Sequence, residues 1–177
     1  MAKVKKRRQQ RATLLVVGEG DCDVAFLKHL RSLYCSDKQG VNITVRNAHG
    51  KGPENVVDSA RRELGGYDKR VAFLDTDIQW TEALRKVARK LEIEMVGSEP
   101  CLEGLLLRTL GEPVREGAGS DVLKRQLQVL TGKSMTEHGH YVAHFSRDTL
   151  EEARGRIDEL EKLISLFKGN EFLARQP

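Results

Sequence analysis

The 177-residue chain contains no run of about 18 apolar residues, the length a membrane-spanning helix needs. No transmembrane helix is therefore expected. The N-terminus, MAKVKKRRQQR, has the charge of a signal peptide. The apolar run behind it, Ala12 to Val17, is too short for a signal core and stops in Gly-Glu-Gly-Asp, so a cytoplasmic protein is expected. Cysteine is scarce and odd in number. Cys22, Cys35 and Cys101 stand far apart with no CxxC pair, which argues against a disulfide framework and against a cysteine zinc site. Aromatics are only 5% of the residues, so aliphatic side chains must fill the core. A hydrophobic content of 39% suffices for one domain with a small helical addition.

Acidic residues are missing from one place in particular. Lys3, Lys5, Lys6, Arg7, Arg8 and Arg11 carry positive charge with no acid among them, which leaves 24 basic against 26 acidic residues in the remainder. The net charge of +4 therefore belongs to a tail, residues 1–12, read as disordered. Lys5, Lys6, Arg7, Arg8 and Arg11 are candidates for contacting nucleic-acid phosphates through counterion release. A solvated leader without a partner is the competing reading.

What is present alternates. TLLVVG (Thr13 to Gly18) is a short β-branched apolar run of the kind found in buried parallel strands. Ala25 or Phe26, Leu27, Leu30 and Leu33 or Tyr34 then recur at helical spacing. Val41 to Arg46 reads as a second strand. The loop HGKGP leads into a helix that starts at Pro53 and runs to about Leu64, before Gly65-Gly66. Arg70 to Leu74 is a third strand, ending in Asp75-Thr-Asp77. Thr81 is positioned to cap a helix bearing Leu84, Val87, Ala88 and Leu91 on one face. Glu92 to Val96 is a fourth strand, and Cys101 to Leu110 an apolar helix. Alternating strands and helices imply right-handed crossovers and an α/β fold with a four-stranded, mostly parallel sheet over residues 13–111. Residues 112–177 read as a helical extension packed on the same domain: a linker to Gly119, a helix to about Leu130, and a last helix with Leu150, Ala153, Ile157, Leu160, Ile164 and Phe167 in a stripe. That stripe is read as packing against its own domain, with a homodimer or partner-protein seam through 150–167 as the competing reading. His138, His140 and His144 share parity and would face one way in a strand; a partly exposed strand or loop is a plainer reading than a zinc site.

In open parallel sheets, ligands bind outside the carboxyl ends of the strands. Glu19 follows the first strand directly, and Asp75 and Asp77 follow the third. Their i, i+2 spacing puts both aspartates on one side of an extended segment. With strands one and three as neighbours, three carboxylates meet, and such a group repels itself unless a cation intervenes. Oxygen ligands favour a hard ion, Mg²⁺ or Mn²⁺. Glu103, one turn into the helix after strand four and on the face opposite its strongest apolar run, is a fourth candidate ligand. Helix capping and plain solvation are the competing readings for all four acids.

The blocks around these acids resemble a known family. Gly18-Glu19-Gly20-Asp21-Cys22-Asp23 with Phe26-Leu27 resembles the opening EGxTExxFL motif of Toprim domains, with Cys22 and Asp23 in place of Thr and Glu. Phe73-Leu74-Asp75-Thr76-Asp77 resembles their DxD motif. Ser98-Glu99-Pro100-Cys101-Leu102-Glu103 with Leu105-Leu106-Leu107 resembles the SNPxFExWLLLH block of RloB-like proteins, which are linked to restriction and abortive infection. The HGKG loop with Asn55, Val56 and Val57 resembles their glycine-rich segment. Leu102 and Leu105 replace the aromatic positions, Glu99 replaces Asn, and the terminal His is absent. The resemblance implies a Toprim-like fold, Mg²⁺ binding and metal-dependent cleavage of nucleic-acid phosphodiesters, with a role in anti-phage defence. Asp75, Asp77 and Glu19 would be the catalytic and metal-holding residues, Glu103 a supporting ligand, and Lys51 a phosphate contact. Two competing readings are a non-catalytic module that binds nucleic acid, a nucleotide or a protein, and an S-adenosylmethionine-dependent methyltransferase suggested by Val17-Gly-Glu-Gly-Asp21. The latter lacks a third glycine and an acid at the end of strand two.

Overall fold

The computed structural model describes residues 11–35, 40–132, 135–136 and 138–173. Four strands, β1 (Thr13–Gly18), β2 (Asn42–Asn47), β3 (Lys69–Asp75) and β4 (Ile93–Ser98), alternate with α1 (Asp21–Tyr34), α2 (Pro53–Arg62) and α3 (Glu82–Lys90), and β4 leads into α4 (Leu102–Thr109). All pairings are parallel, in the order β2-β1-β3-β4. The two central strands are buried on both faces, Leu14 to Val17 and Val71 to Leu74 each at 0% exposure. That explains why they read as unbroken apolar runs, whereas the edge strand β2 alternates.

The sheet has two differently covered faces. Leu15, Val17, Ala72, Leu74 and Ile93 pack on Val56, Val57 and Ala60 of α2 and Leu84 and Ala88 of α3. Leu14, Val16, Val71, Phe73 and Val96 pack on α1, on α4 and on the C-terminal helices. The latter are α5 (Ser120–Thr131), α6 (His138–His144), α7 (Arg147–Arg154), α8 (Asp158–Lys168) and α9 (Asn170–Leu173). With right-handed crossovers, α1 and α3 lie on opposite faces because the chain leaves β1 toward β2 and leaves β3 toward β4, in opposite directions along the sheet. The strand order thus reverses between β1 and β3. A crevice opens at such a reversal, beyond the carboxyl ends of those two strands.

Several local expectations change. The expected last helix is two helices, α7 and α8, separated at Gly155–Ile157. Its stripe packs against its own domain: Leu150, Ala153, Leu160, Ile164 and Phe167 are all at 0% exposure and Ile157 at 3%, within the chain's own core. His138, His140 and His144 lie on a helix, α6, so the strand parity does not apply. α2 stops at Arg62, which leaves Leu64 at 91% exposure, and Val87 lies off the buried face of α3 at 49%. Thr81 does cap α3, its hydroxyl accepting from the Leu84 N–H at 3.1 Å. Among the described residues no helix is long and apolar enough to cross a membrane.

Candidate metal centre

The sheet edge at the β1/β3 reversal collects carboxylates from four elements. β1 and β3 are paired with Gly18 opposite Phe73, so Glu19 and Asp75 both emerge at the same edge of the sheet. Asp75 in turn lies opposite Ser98 of β4. The Ser98 hydroxyl donates to Asp75 Oδ1 at 2.8 Å, and the Leu102 N–H donates to the same oxygen at 3.0 Å. The segment after β3 is tied to the one after β4, with the Thr76 and Asp77 amides both donating to the Pro100 carbonyl (2.9 and 2.8 Å). Trp80 closes the edge, its indole N–H on the Asp75 carbonyl at 2.9 Å. Glu103, in the first turn of α4, is 7% exposed; it points inward rather than away from the apolar run.

A fifth carboxylate belongs here that the candidate set omitted. Asp23, in the first turn of α1, is 7% exposed and accepts the Gly20 N–H at 2.8 Å. Gly18 makes its position attainable, since a Cβ there would stand 2.7 Å from the Asp23 Cβ. The signal was in the sequence, four residues beyond Glu19, but an acid three residues past a helix N-cap is ordinarily a capping group.

The charges of these groups act on one another. Burial, then the charge of Asp75, pushes the Asp23 carboxyl up to about 7, with Glu19 and Glu103 adding and the Gly20 amide opposing. Burial also pushes Asp75 up to about 6, against the hydrogen bonds from Ser98 and Leu102, while Glu103 and Asp77 raise it further. Glu19 is raised by burial and by Asp77, and lowered by the Gly52 amide. Both thiols nearby are held protonated: burial and Glu103 push Cys22 up to about 11, and burial pushes Cys101 up to about 12. The donors from Glu19, Asp23, Asp75, Asp77 and Glu103 are carboxylate oxygens. That set fits a hard divalent cation, whose charge would relieve the repulsion. Among the described residues no three of these groups form a ready ligand cluster. Backbone amides hold three of them individually: Asp23 on Gly20, Asp75 on Leu102 and Glu19 on Gly52.

Compared with protein-family models, curated proteins and solved structures, the chain matches none.

The HGKG loop lies against the same edge. Its Gly50 N–H donates to the Glu19 carbonyl at 2.8 Å, and Asn55 holds it from inside through the Ala48 and Gly50 carbonyls (2.7 and 2.8 Å). Four successive residues, His49, Gly50, Lys51 and Gly52, have φ between 61° and 82°. For His49 and Lys51 this left-handed backbone costs about 1–2 kcal/mol each, and the loop keeps it because Glu19 and Asn55 hold both flanks. Lys51 is thereby presented, exposed, on a loop bonded to Glu19. Of the basic candidates, Arg11 is exposed just before β1 at the opposite end of the strand. Lys5, Lys6, Arg7 and Arg8 lie outside the described residues.

Proposed function

We propose that this chain is a Toprim-type nuclease of the RloB-like kind, a Mg²⁺- or Mn²⁺-dependent enzyme that cleaves nucleic-acid phosphodiesters in anti-phage defence. One observation carries the proposal: Glu19, Asp23, Asp75, Asp77 and Glu103 are mutually repelling carboxylates gathered where the strand order reverses. Repulsion of this kind is retained at ligand and catalytic sites, where a cation offsets it. In this reading Asp75, Asp77 and Glu19 hold the ion, with Glu103 and Asp23 behind them. A divalent ion supplies Lewis acidity at a phosphate oxygen. Ser98 fixes the orientation of Asp75. Where Asp75 and Asp77 hold the ion without it, Glu19 is instead the general acid–base group beside the scissile phosphate. Lys51 meets a phosphate oxygen.

The test is incubation of the protein with single- and double-stranded DNA and RNA, in Mg²⁺, Mn²⁺ or EDTA, beside the Asp75→Asn/Asp77→Asn variant. Cleavage that needs the metal and is lost in the variant is expected. Equal cleavage by both proteins, or none by either, would sink the nuclease reading. The second reading is a module that binds nucleic acid, a nucleotide or a protein without cleaving it. It draws on the individual tethering of the carboxylates to backbone amides rather than to one another.

A further inference from the structure

The amino end of the sheet carries the opposite charge. A groove of about 650 Å³ runs between α1 and the edge strand β2. Arg11, Lys28, Arg31 and His138 line it, along with Ser32 and Asn42, and no carboxylate among the described residues does. Arg11 precedes β1, and the first residue of β2, Asn42, donates its N–H to the Ala12 carbonyl at 2.7 Å, so the chain enters the sheet at the mouth of this groove. Lys28 and Arg31 are one turn apart on α1, which puts them on one side of the helix.

Some cations elsewhere on the folded body are matched by acids. Arg61 and Arg62 both meet Asp58 at 2.7 Å, and Arg46 meets Glu63 at 2.7 Å. Among the described residues Arg11, Lys28 and Arg31 make no ion pair. Arg31 spends one guanidinium nitrogen on the Ile43 carbonyl at 3.3 Å, which aims the side chain along the edge of β2. The sequence running into Arg11 adds Lys3, Lys5, Lys6, Arg7 and Arg8 with no acid. Three cations without acidic partners therefore line one groove, into which the basic N-terminal sequence leads, on a body that is slightly acidic as a whole. Unpaired, solvent-facing cations of this density attract a polyanion by releasing its counterions.

We propose that the α1/β2 groove is a binding subsite for the phosphodiester backbone of a nucleic acid, gripping it through Arg11, Lys28 and Arg31 at a distance from the carboxylates. β1 separates the two places by about 20 Å, six residues at about 3.3 Å each. The groove therefore holds a stretch of chain flanking the one at the carboxylates. The cleavage reading enters only in that placement, and the grip itself does not depend on it.

The experiment is fluorescence anisotropy with labelled strands of about twenty nucleotides, as single- and double-stranded DNA and RNA. It is run in EDTA, so that no cleavage occurs, and across a salt series. Each phosphate contact contributes about 0.7 to 0.9 to the slope of log affinity against log salt. Arg11→Gln/Lys28→Gln/Arg31→Gln is expected to reduce that slope by about 2 to 3, and Lys28→Gln/Arg31→Gln by about 1.5. The control Lys86→Gln/Lys90→Gln, on the opposite face, should leave it unchanged. Arg11, Lys28, Lys86 and Lys90 are exposed and Arg31 is half-buried, and circular dichroism checks the folding of each variant. Wild-type slopes in both groove variants, an equal loss in the control, or no binding to any of the four probes would overturn the proposal. Retained binding by a protein that cleaves nothing would refute the nuclease reading alone.

Discussion

Replacing Asp23 by Asn tests the electrostatics of the carboxylate cluster without needing any ligand. Asp23 is raised from 3.8 to about 7. Each unit corresponds to about 1.4 kcal/mol, so ionising this group in the folded chain costs up to about 4 kcal/mol. The sign follows from proton counting. Between pH 4 and 7 the folded chain keeps a proton that the unfolded chain has released. Stability therefore falls as pH rises through that window, and the whole penalty is present above it. Asn has nearly the same shape and still accepts the Gly20 N–H that Asp23 holds at 2.8 Å, but it carries no charge. At pH 8 in EDTA the variant should be more stable by about 2 kcal/mol, half the maximum because a neutral acceptor is weaker than a carboxylate. In a chain of this size that is a rise of about 4–8 °C in Tm. The gain should vanish below pH 4. Thermal and urea melts of both proteins between pH 4 and 8.5 measure it. If the two proteins share one pH dependence, Asp23 does not ionise in a buried, anionic site and the electrostatic picture fails.

Three further outcomes follow from the same geometry. Ser98→Ala removes the 2.8 Å donor to Asp75 and should push that carboxyl above about 6, at about 1 kcal/mol of stability; carboxyl-carbon NMR titration reads the shift. Gly18→Ala puts a Cβ 2.7 Å from the Asp23 Cβ and 3.3 Å from Leu27 Cδ1, and should cost about 1–3 kcal/mol in urea melts while moving α1 off the site. Leu160→Ala should cost about 2–5 kcal/mol with no change in oligomeric state by light scattering, because Leu160 is fully buried in the chain's own core.

The parallel sheet was legible because β1 and β3 are buried on both faces and so appear as unbroken runs, TLLVVG and RVAFL. Strand-end logic likewise located Glu19 and Asp75 at one edge, because the i-to-i geometry of paired strands fixes where their ends lie. Asp23 and Ser98 were not legible. Asp23 follows an ordinary capping pattern, and only the close approach at Gly18 turns it into the crevice. Ser98 matters through its register with Asp75, a tertiary fact. Glu103 was placed by periodicity on the polar side of its helix, yet α4 is buried nearly all round and periodicity says little in such a helix. The break at Gly155–Ile157 was hidden because the two short helices keep a nearly continuous 3-4 spacing of apolar residues. The histidines of α6 misled because a parity test over three positions does not distinguish strand from helix.

The most direct test of the carboxylate centre is calorimetric titration of the metal-free protein with Mn²⁺ at pH 6.5 in two buffers of different ionisation enthalpy. Asp23 at about 7 and Asp75 at about 6 hold protons near that pH. A cation taken up by their ionised forms must expel them. Saturable binding with net proton release is predicted, the release shrinking at pH 8.5 and the binding lost in Asp75→Asn/Asp77→Asn. Absence of binding in the wild type, or identical binding in the double variant, would contradict a metal centre at Glu19, Asp75 and Asp77.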